Sequence, residues 1–93
     1  MIIGVCTLEI MIYGANSLKE KRQVIKSILG RIKSRYNVSI AEIGLNEVWR
    51  SGIIGIACVS NDSIHAGQML SNVMKFIERD SRVEIIKHNI EMM

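Results

Sequence analysis

Proline is absent from this chain, cysteine occurs twice, and only four residues are aromatic: Tyr13, Tyr36, Trp49 and Phe76. Each scarcity excludes something. Cys6 and Cys58 lie in apolar runs without CxxC spacing, which is not the cysteine-dense framework of a small secreted scaffold, so free buried thiols in a reducing compartment are expected. A disulfide would require the two strands to be neighbours with facing side chains. With no aromatic between residues 53 and 59, the chain lacks the stacking platform on which the RNA-recognition motif holds bases. No apolar run nears the roughly 20 residues that span a bilayer. The apolar start, residues 1–13, has no basic leader, contains Glu9 and shows no small-residue cleavage site, so it reads as a strand and not as a signal peptide. A cytoplasmic location with no membrane partner follows as an expectation.

Chemical signatures are missing as well. There is no P-loop, dinucleotide fingerprint, GxSxG or HExxH, and the glycines at 44, 52 and 55 flank a strand connection instead of a helix N-terminus. His65 and His88 are separated by a helix and lack companions at ligand spacing, so neither a metal nor a cofactor is expected. No set of acid, base and nucleophile is visible, and the chain reads as a non-enzyme without catalytic residues.

What the sequence does contain is the pattern of one folded domain. Ninety-three residues, 48% of them hydrophobic and 23% charged, are too few for two cores and too apolar for disorder. Residues 1–93 are therefore read as a single domain. Residues 2–13 alternate with period two, placing Ile2, Gly4, Cys6, Leu8, Ile10 and Ile12 on one face. Ser17 followed by Glu20 is a capping box that opens a helix. From there to residue 36, Leu18, Ile25, Ile28, Leu29, Ile32 and Tyr36 recur at helical spacing, and no proline interrupts them. Residues 38–45 and 53–60 read as strands, the second as a central one. Asn61, Asp62 and Ser63 are three candidate caps for a second helix carrying Ala66, Met69, Leu70, Val73, Met74 and Ile77 on one face. Residues 83–90 close the chain as an edge strand.

The order β-α-β-β-α-β has two right-handed crossovers around a short β-β connection, which predicts an α+β, ferredoxin-like domain. Its four-stranded antiparallel sheet should have strand order 4-1-3-2, with both helices on one face. The face of the first strand carrying Ile3, Val5, Met11 and Tyr13 would then have no covering layer, and a homodimer is expected on that ground.

Lys19, Arg22, Lys26 and Lys33 fall at offsets of three, four and seven, so they share one stripe of the first helix away from its apolar face. Lys21, Arg31 and Arg35 add positive charge against a single acid, Glu20. Such a ridge can meet phosphates, whose neutralisation releases counterions without reading sequence. The plain alternative is a solvated helix face. Lys75 and Arg79 on the second helix lack this long one-sided array. Trp49 and Arg50, in a polar connection, read either as a secondary partner contact or, for the tryptophan, as a cap on the end of the core, the commoner use of a large aromatic.

Several segments together carry a family resemblance that covers nearly the whole chain. They are residues 17–22 (SLKEKR), residues 37–42 (NVSIAE), Trp49, and residues 59–62 (VSND). In these the sequence resembles the YlxP-like bacterial proteins, a family of small domains with no assigned biochemical function. The resemblance implies a ferredoxin-like fold and no catalytic residues. The genes of that family typically lie among those for a transcription elongation factor, a translation initiation factor and a ribosome-binding factor. This implies a place near the ribosome, with ribosomal RNA or a ribosomal protein as partner. The expected function is thus an accessory role in translation or small-subunit maturation, with Lys19, Arg22, Lys26 and Lys33 as the nucleic-acid contacts. The rival expectation is an assembly or ligand-sensing module that pairs without RNA.

Overall fold

A chain whose first strand buries every second residue needs a layer on one side only, and the helices supply it. The computed structural model describes residues 1–93. The elements are β1 (Ile2–Ile12), α1 (Leu18–Arg35), β2 (Ser39–Gly44), β3 (Ser51–Ser60), α2 (Ser63–Glu78) and β4 (Val83–Met92). They form one antiparallel sheet in the order β2-β3-β1-β4, the expected 4-1-3-2 read from the other edge. β3 is central, and β2 and β4 are the edges, as the sequence pattern predicts.

Gly4, Cys6, Leu8, Ile10 and Ile12 of β1 face the helices and are buried. They pack with Ile54, Ile56 and Cys58 of β3, with Ile25, Ile28 and Ile32 of α1, and with Ala66, Leu70, Val73 and Ile77 of α2. Fully burying each of the larger aliphatic side chains is worth about 1.5–3 kcal/mol. α2 packs on the sheet over Gly4, where a Cβ would lie 3.1 Å from both Cys58 Sγ and Leu70 Cδ1 and 3.3 Å from Ala66 Cβ. A side chain at this position would require those neighbours to shift by a few tenths of an ångström. Cys6 and Cys58 are buried free thiols. Cys6 is opposite Ile56 and Cys58 is opposite Gly4, so the two are diagonal neighbours on one face. Diagonal Cβ atoms lie nearly twice as far apart as the roughly 3.5–4.5 Å of a disulfide. Burial pushes the Cys6 thiol above its ordinary value.

Local signals fix the ends of the helices. Ser17 Oγ accepts a hydrogen bond from the Glu20 amide at 3.1 Å. The reciprocal arm of the box differs from expectation: the Glu20 carboxylate accepts from the Asn16 amide, 2.8 Å away, one residue before the cap. α1 ends at Arg35 with Tyr36 as C-cap, so the helical pattern read to residue 36 includes the cap. Of the three candidate caps for α2, Asp62 is the one used, its side chain accepting from the Ile64 amide.

The opposite face of the sheet carries no second layer. Ile3, Val5, Thr7 and Glu9 of β1 lie beside Val59, Ala57, Gly55 and Ile53 of β3. On the other side β4 presents Glu91, Asn89 and Lys87 to the same face. Glu84 lies beyond them, hydrogen-bonded to the Tyr13 hydroxyl. A register shift between Glu42 and Gly44 leaves Ile43 unpaired on β2, and its side chain covers the bare backbone of Gly55.

Candidate nucleic-acid interface

Helix α1 turns Ile25, Ile28 and Ile32 to the core. On a helix this leaves a stripe about a third of a turn away in contact with water, where Lys19, Arg22, Lys26 and Lys33 stand. All four are exposed. Between Lys19 and Lys33 the ridge runs about 21 Å along the helix axis. Arg22, Lys26 and Lys33 also line a groove of about 430 Å³ between α1 and the edge strand β2, together with Leu29, Gly30 and Glu42. Lys19 lies in the first turn, outside that groove. Of the twelve lysines and arginines, Lys21 and Arg82 alone are held in ion pairs. No carboxylate stands within ion-pair distance of the four ridge cations.

Gly30 interrupts this stripe at the position four residues after Lys26. A glycine inside a helix costs about 1 kcal/mol relative to alanine. Here nothing in the chain requires it: a Cβ would meet no atom within 4 Å, and the residue is exposed. A bare backbone beside three cations suits the close approach of a partner. Gly30→Ala is therefore expected to stabilise the fold by about 0.4–1 kcal/mol. Gly30→Gln, which adds bulk without charge, should fold as well as the parent, and if RNA is the partner that approaches there it should bind at least tenfold more weakly. Unchanged RNA binding in a stably folded Gly30→Gln protein would show that RNA does not approach there.

Lys21 is the correction on this helix. The sequence counts it with the solvent-facing cations, but its side chain is fully buried. Its position continues the apolar stripe between Leu18 and Ile25, and the ammonium is carried inward. Nζ donates to the Leu45 carbonyl at 2.6 Å and lies 2.8 Å from Glu42 Oε2. That carboxylate oxygen is buried with no regular hydrogen bond, the Lys21 ammonium being its one compensating charge. Leu45 has a left-handed backbone, φ 57°, and its carbonyl also accepts from the Val48 amide at 3.0 Å. Lys21 thus ties the β2–β3 connection to the N-terminal end of α1.

With this geometry in place, comparison with known proteins decides the relationship. Residues 3–90 match the family described as "Protein of unknown function (DUF503)". The chain belongs to that family. The DUF503 chain is 42% identical over 83 residues to "Uncharacterized protein YlxP" of Bacillus subtilis (strain 168), covering 89% of this chain and 90% of the relative. The YlxP-like resemblance is borne out. Among solved structures, the "De novo designed protein Foldit4" aligns over 100% of this chain and 97% of its own length, with a TM-score of 0.55 at 14% identity. That likeness shows the fold alone.

In this DUF503 chain, Trp49 and Arg50 both lie exposed in the bend that precedes β3. Trp49 retains 48% of its accessible surface, so it does not cap the core. Trp49 follows the turn closed by the Val48 amide on the Leu45 carbonyl. Lys21 anchors the start of this connection at Leu45, and its end is held by the Arg50 carbonyl, which accepts from the Ile12 amide at 2.8 Å. His65 hydrogen-bonds Ser60 Oγ through Nδ1 at 3.0 Å, and His88 is on β4. No three of the histidine, cysteine and acidic side chains gather as a metal site would require. No helix is long and apolar enough to cross a membrane. Arg79, which lacks the one-sided array of the ridge, lines with Arg31, Arg35 and Arg82 a cleft between the helix ends. Sequence spacing conceals that cluster, because its members come from three separate segments.

Proposed function

We propose that this protein is a small cytoplasmic accessory factor of translation or small-subunit maturation that docks on structured ribosomal RNA through α1. The observation that carries this reading is the ridge of Lys19, Arg22, Lys26 and Lys33. All four are exposed and unpaired, and Arg22, Lys26 and Lys33 border a groove whose backbone is bare at Gly30. Phosphate contacts of this kind position a protein on RNA without reading bases. The uncovered sheet face favours no alternative route, since it carries Glu9, Glu84 and Glu91 and no stacking platform among β1 and β3. Trp49 and Arg50, both exposed, supply a secondary contact. Sedimentation of a cell lysate at low salt should carry the protein with small-subunit-sized particles, and about 0.5 M salt should return it to the top of the gradient. A protein that stays at the top at low salt would remove the reading. Co-sedimentation that resists salt would turn it toward a ribosomal protein as partner.

The uncovered sheet face supports a second reading, a module that pairs with a copy of itself. Ile3, Val5, Ile53, Ala57 and Val59 form its apolar part. Glu9 and Lys87 stand opposite one another on β1 and β4 without forming an ion pair. Under a two-fold axis Glu9 and Lys87 of one copy can meet their opposites on the other, which leaves Glu84 and Glu91 unmatched. Light scattering at high micromolar concentration should give twice 10.5 kDa; the monomer mass there would eliminate pairing.

A further inference from the structure

The C-terminal ends of α1 and α2 converge, and the turn leading into β4 closes a cleft of about 460 Å³ between them. Its walls hold four guanidinium groups, from Arg31 and Arg35 of α1, Arg79 at the end of α2 and Arg82 in the turn, beside Phe76 and Asp80. Two of the four are held in place by neighbours. Arg82 donates from Nε to Asp80 Oδ1 at 2.9 Å and from Nη2 to Asp80 Oδ2 at 2.7 Å, and the same Nη2 reaches Ser27 Oγ at 3.3 Å. Its Nη1 donors remain free. Arg35 lies over the Phe76 ring, 5.2 Å from the centroid, and Tyr36 fixes that ring edge-on at 6.0 Å. Arg31 and Arg79 are exposed and form no ion pair.

Neutralising helix ends does not account for this cluster. Each helix C-terminus contributes about half a negative charge, confined to its last turn. Arg31 precedes the last turn of α1, and Arg82 belongs to neither helix. Four guanidiniums against the Asp80 carboxylate and two helix ends leave a charge of roughly +2 in one cleft. Asp80 cannot offset more of it: hydrogen bonds from Arg82 hold its carboxyl below the usual carboxylate range, and the Arg31 charge acts in the same direction. The planar fork of a guanidinium matches a pair of phosphate oxygens, and several forks on one side of a cleft surround a phosphate as carboxylates or neutral ligands would not require.

We propose that this cleft is a phosphate-binding site, taking the phosphate of a nucleotide or of a nucleic-acid backbone. It lies on the flank of α1 opposite the groove of Arg22, Lys26 and Lys33, and it does not depend on the ridge binding RNA. The test titrates inorganic pyrophosphate at constant ionic strength, following the arginine Nε–H resonances by NMR. In the parent protein a subset of these signals should move and saturate. Arg31→Gln/Arg79→Gln should lose the response at least tenfold, whereas Lys26→Gln/Lys33→Gln should keep it. Should the double variant fold poorly, Arg79→Gln alone, past the last residue of α2, makes the same comparison.

A short oligoribonucleotide with and without a 5′-phosphate separates the two sources. At least tenfold tighter binding of the phosphorylated form, lost with Arg31 and Arg79, assigns a terminal phosphate. Equal binding of both forms, weakened tenfold by the same substitutions, assigns the backbone. Either result supports the site, and so does a pyrophosphate response in a protein that binds no RNA, which would remove only the ridge. No saturating response in the parent, or an equal response in both double variants, overturns the proposal.

Discussion

Charge reversal of Lys19, Arg22, Lys26 and Lys33 to glutamate is expected to abolish binding to ribosomal particles while the chain stays folded. If each cation neutralises about one phosphate, the logarithm of the parent's affinity should fall with the logarithm of salt at a slope of about −3 to −4. Removing all four removes essentially that whole electrostatic contribution. Exposed substitutions away from caps and core typically change stability by about 0.5 kcal/mol or less each, so a native-like circular dichroism spectrum should accompany the loss. Lys75→Glu is the matched control. Lys75 is exposed on α2 and lines neither the groove nor the arginine cleft. It should change binding by less than about threefold. Arg79 cannot serve as a control, because it belongs to the cleft. A folded fourfold variant that sediments with particles as the parent does would mean that the ridge is only a solvated face, and pairing through the sheet would become the better account.

The largest effect on stability is expected at Lys21. Lys21→Met keeps the stem that packs under α1 and removes the ammonium. The Glu42 carboxylate is then left without its partner, and the Leu45 carbonyl loses one of its two donors. Breaking a fully buried pair costs about 3–5 kcal/mol. Glu42 retains 14% of its side-chain exposure, which lowers the figure. A cost of about 2–4 kcal/mol remains, equivalent to a fall of roughly 10–30 °C in melting temperature for a domain of this size. Replacing both partners, Lys21→Met with Glu42→Met, should recover most of the loss, since no uncompensated charge is left behind. Denaturant unfolding of the three variants decides the point. A single Lys21→Met variant within 0.5 kcal/mol of the parent would show that the ion pair holds nothing together.

Why some of this was readable in the sequence and some was not has a physical basis. Period-two and helical-period patterns report burial, which sets the face of β1 and the core side of both helices, while the order of elements and the handedness of their crossovers set the strand order. The register shift that frees Ile43 arises from how β2 fits β3, which no local pattern encodes. Lys21 left a trace: the stripe from Leu18 to Ile25 has a vacancy at that position, filled by a residue long enough to reach a carboxylate. Its charge argued for solvent, and the stripe argued for the interior. The interior prevailed because Glu42 and the Leu45 carbonyl were there to receive the ammonium. Trp49 went the other way, its size favouring the core while it lies exposed after the turn beginning at Leu45. The ridge was visible because its members share one helix. The arginine cleft was not, because Arg31, Arg79 and Arg82 are brought together only when two helix ends converge.

The separation of charge between the two sides of the molecule has a kinetic consequence. Glu9, Glu84 and Glu91 lie on the uncovered sheet, against Lys87 alone, while the helix layer carries the unpaired cations of α1. The domain is therefore a dipole directed across the sheet. Near a polyanion such a dipole experiences a torque before contact, turning the helix layer forward and the sheet away. Encounters begin in a productive orientation, which can raise association rates by about 10–10³ at low ionic strength. Most of that gain should disappear as the Debye length shrinks from about 30 Å at 0.01 M to about 8 Å at 0.15 M salt. Stopped-flow association rates measured across that range should fall more steeply than dissociation rates rise.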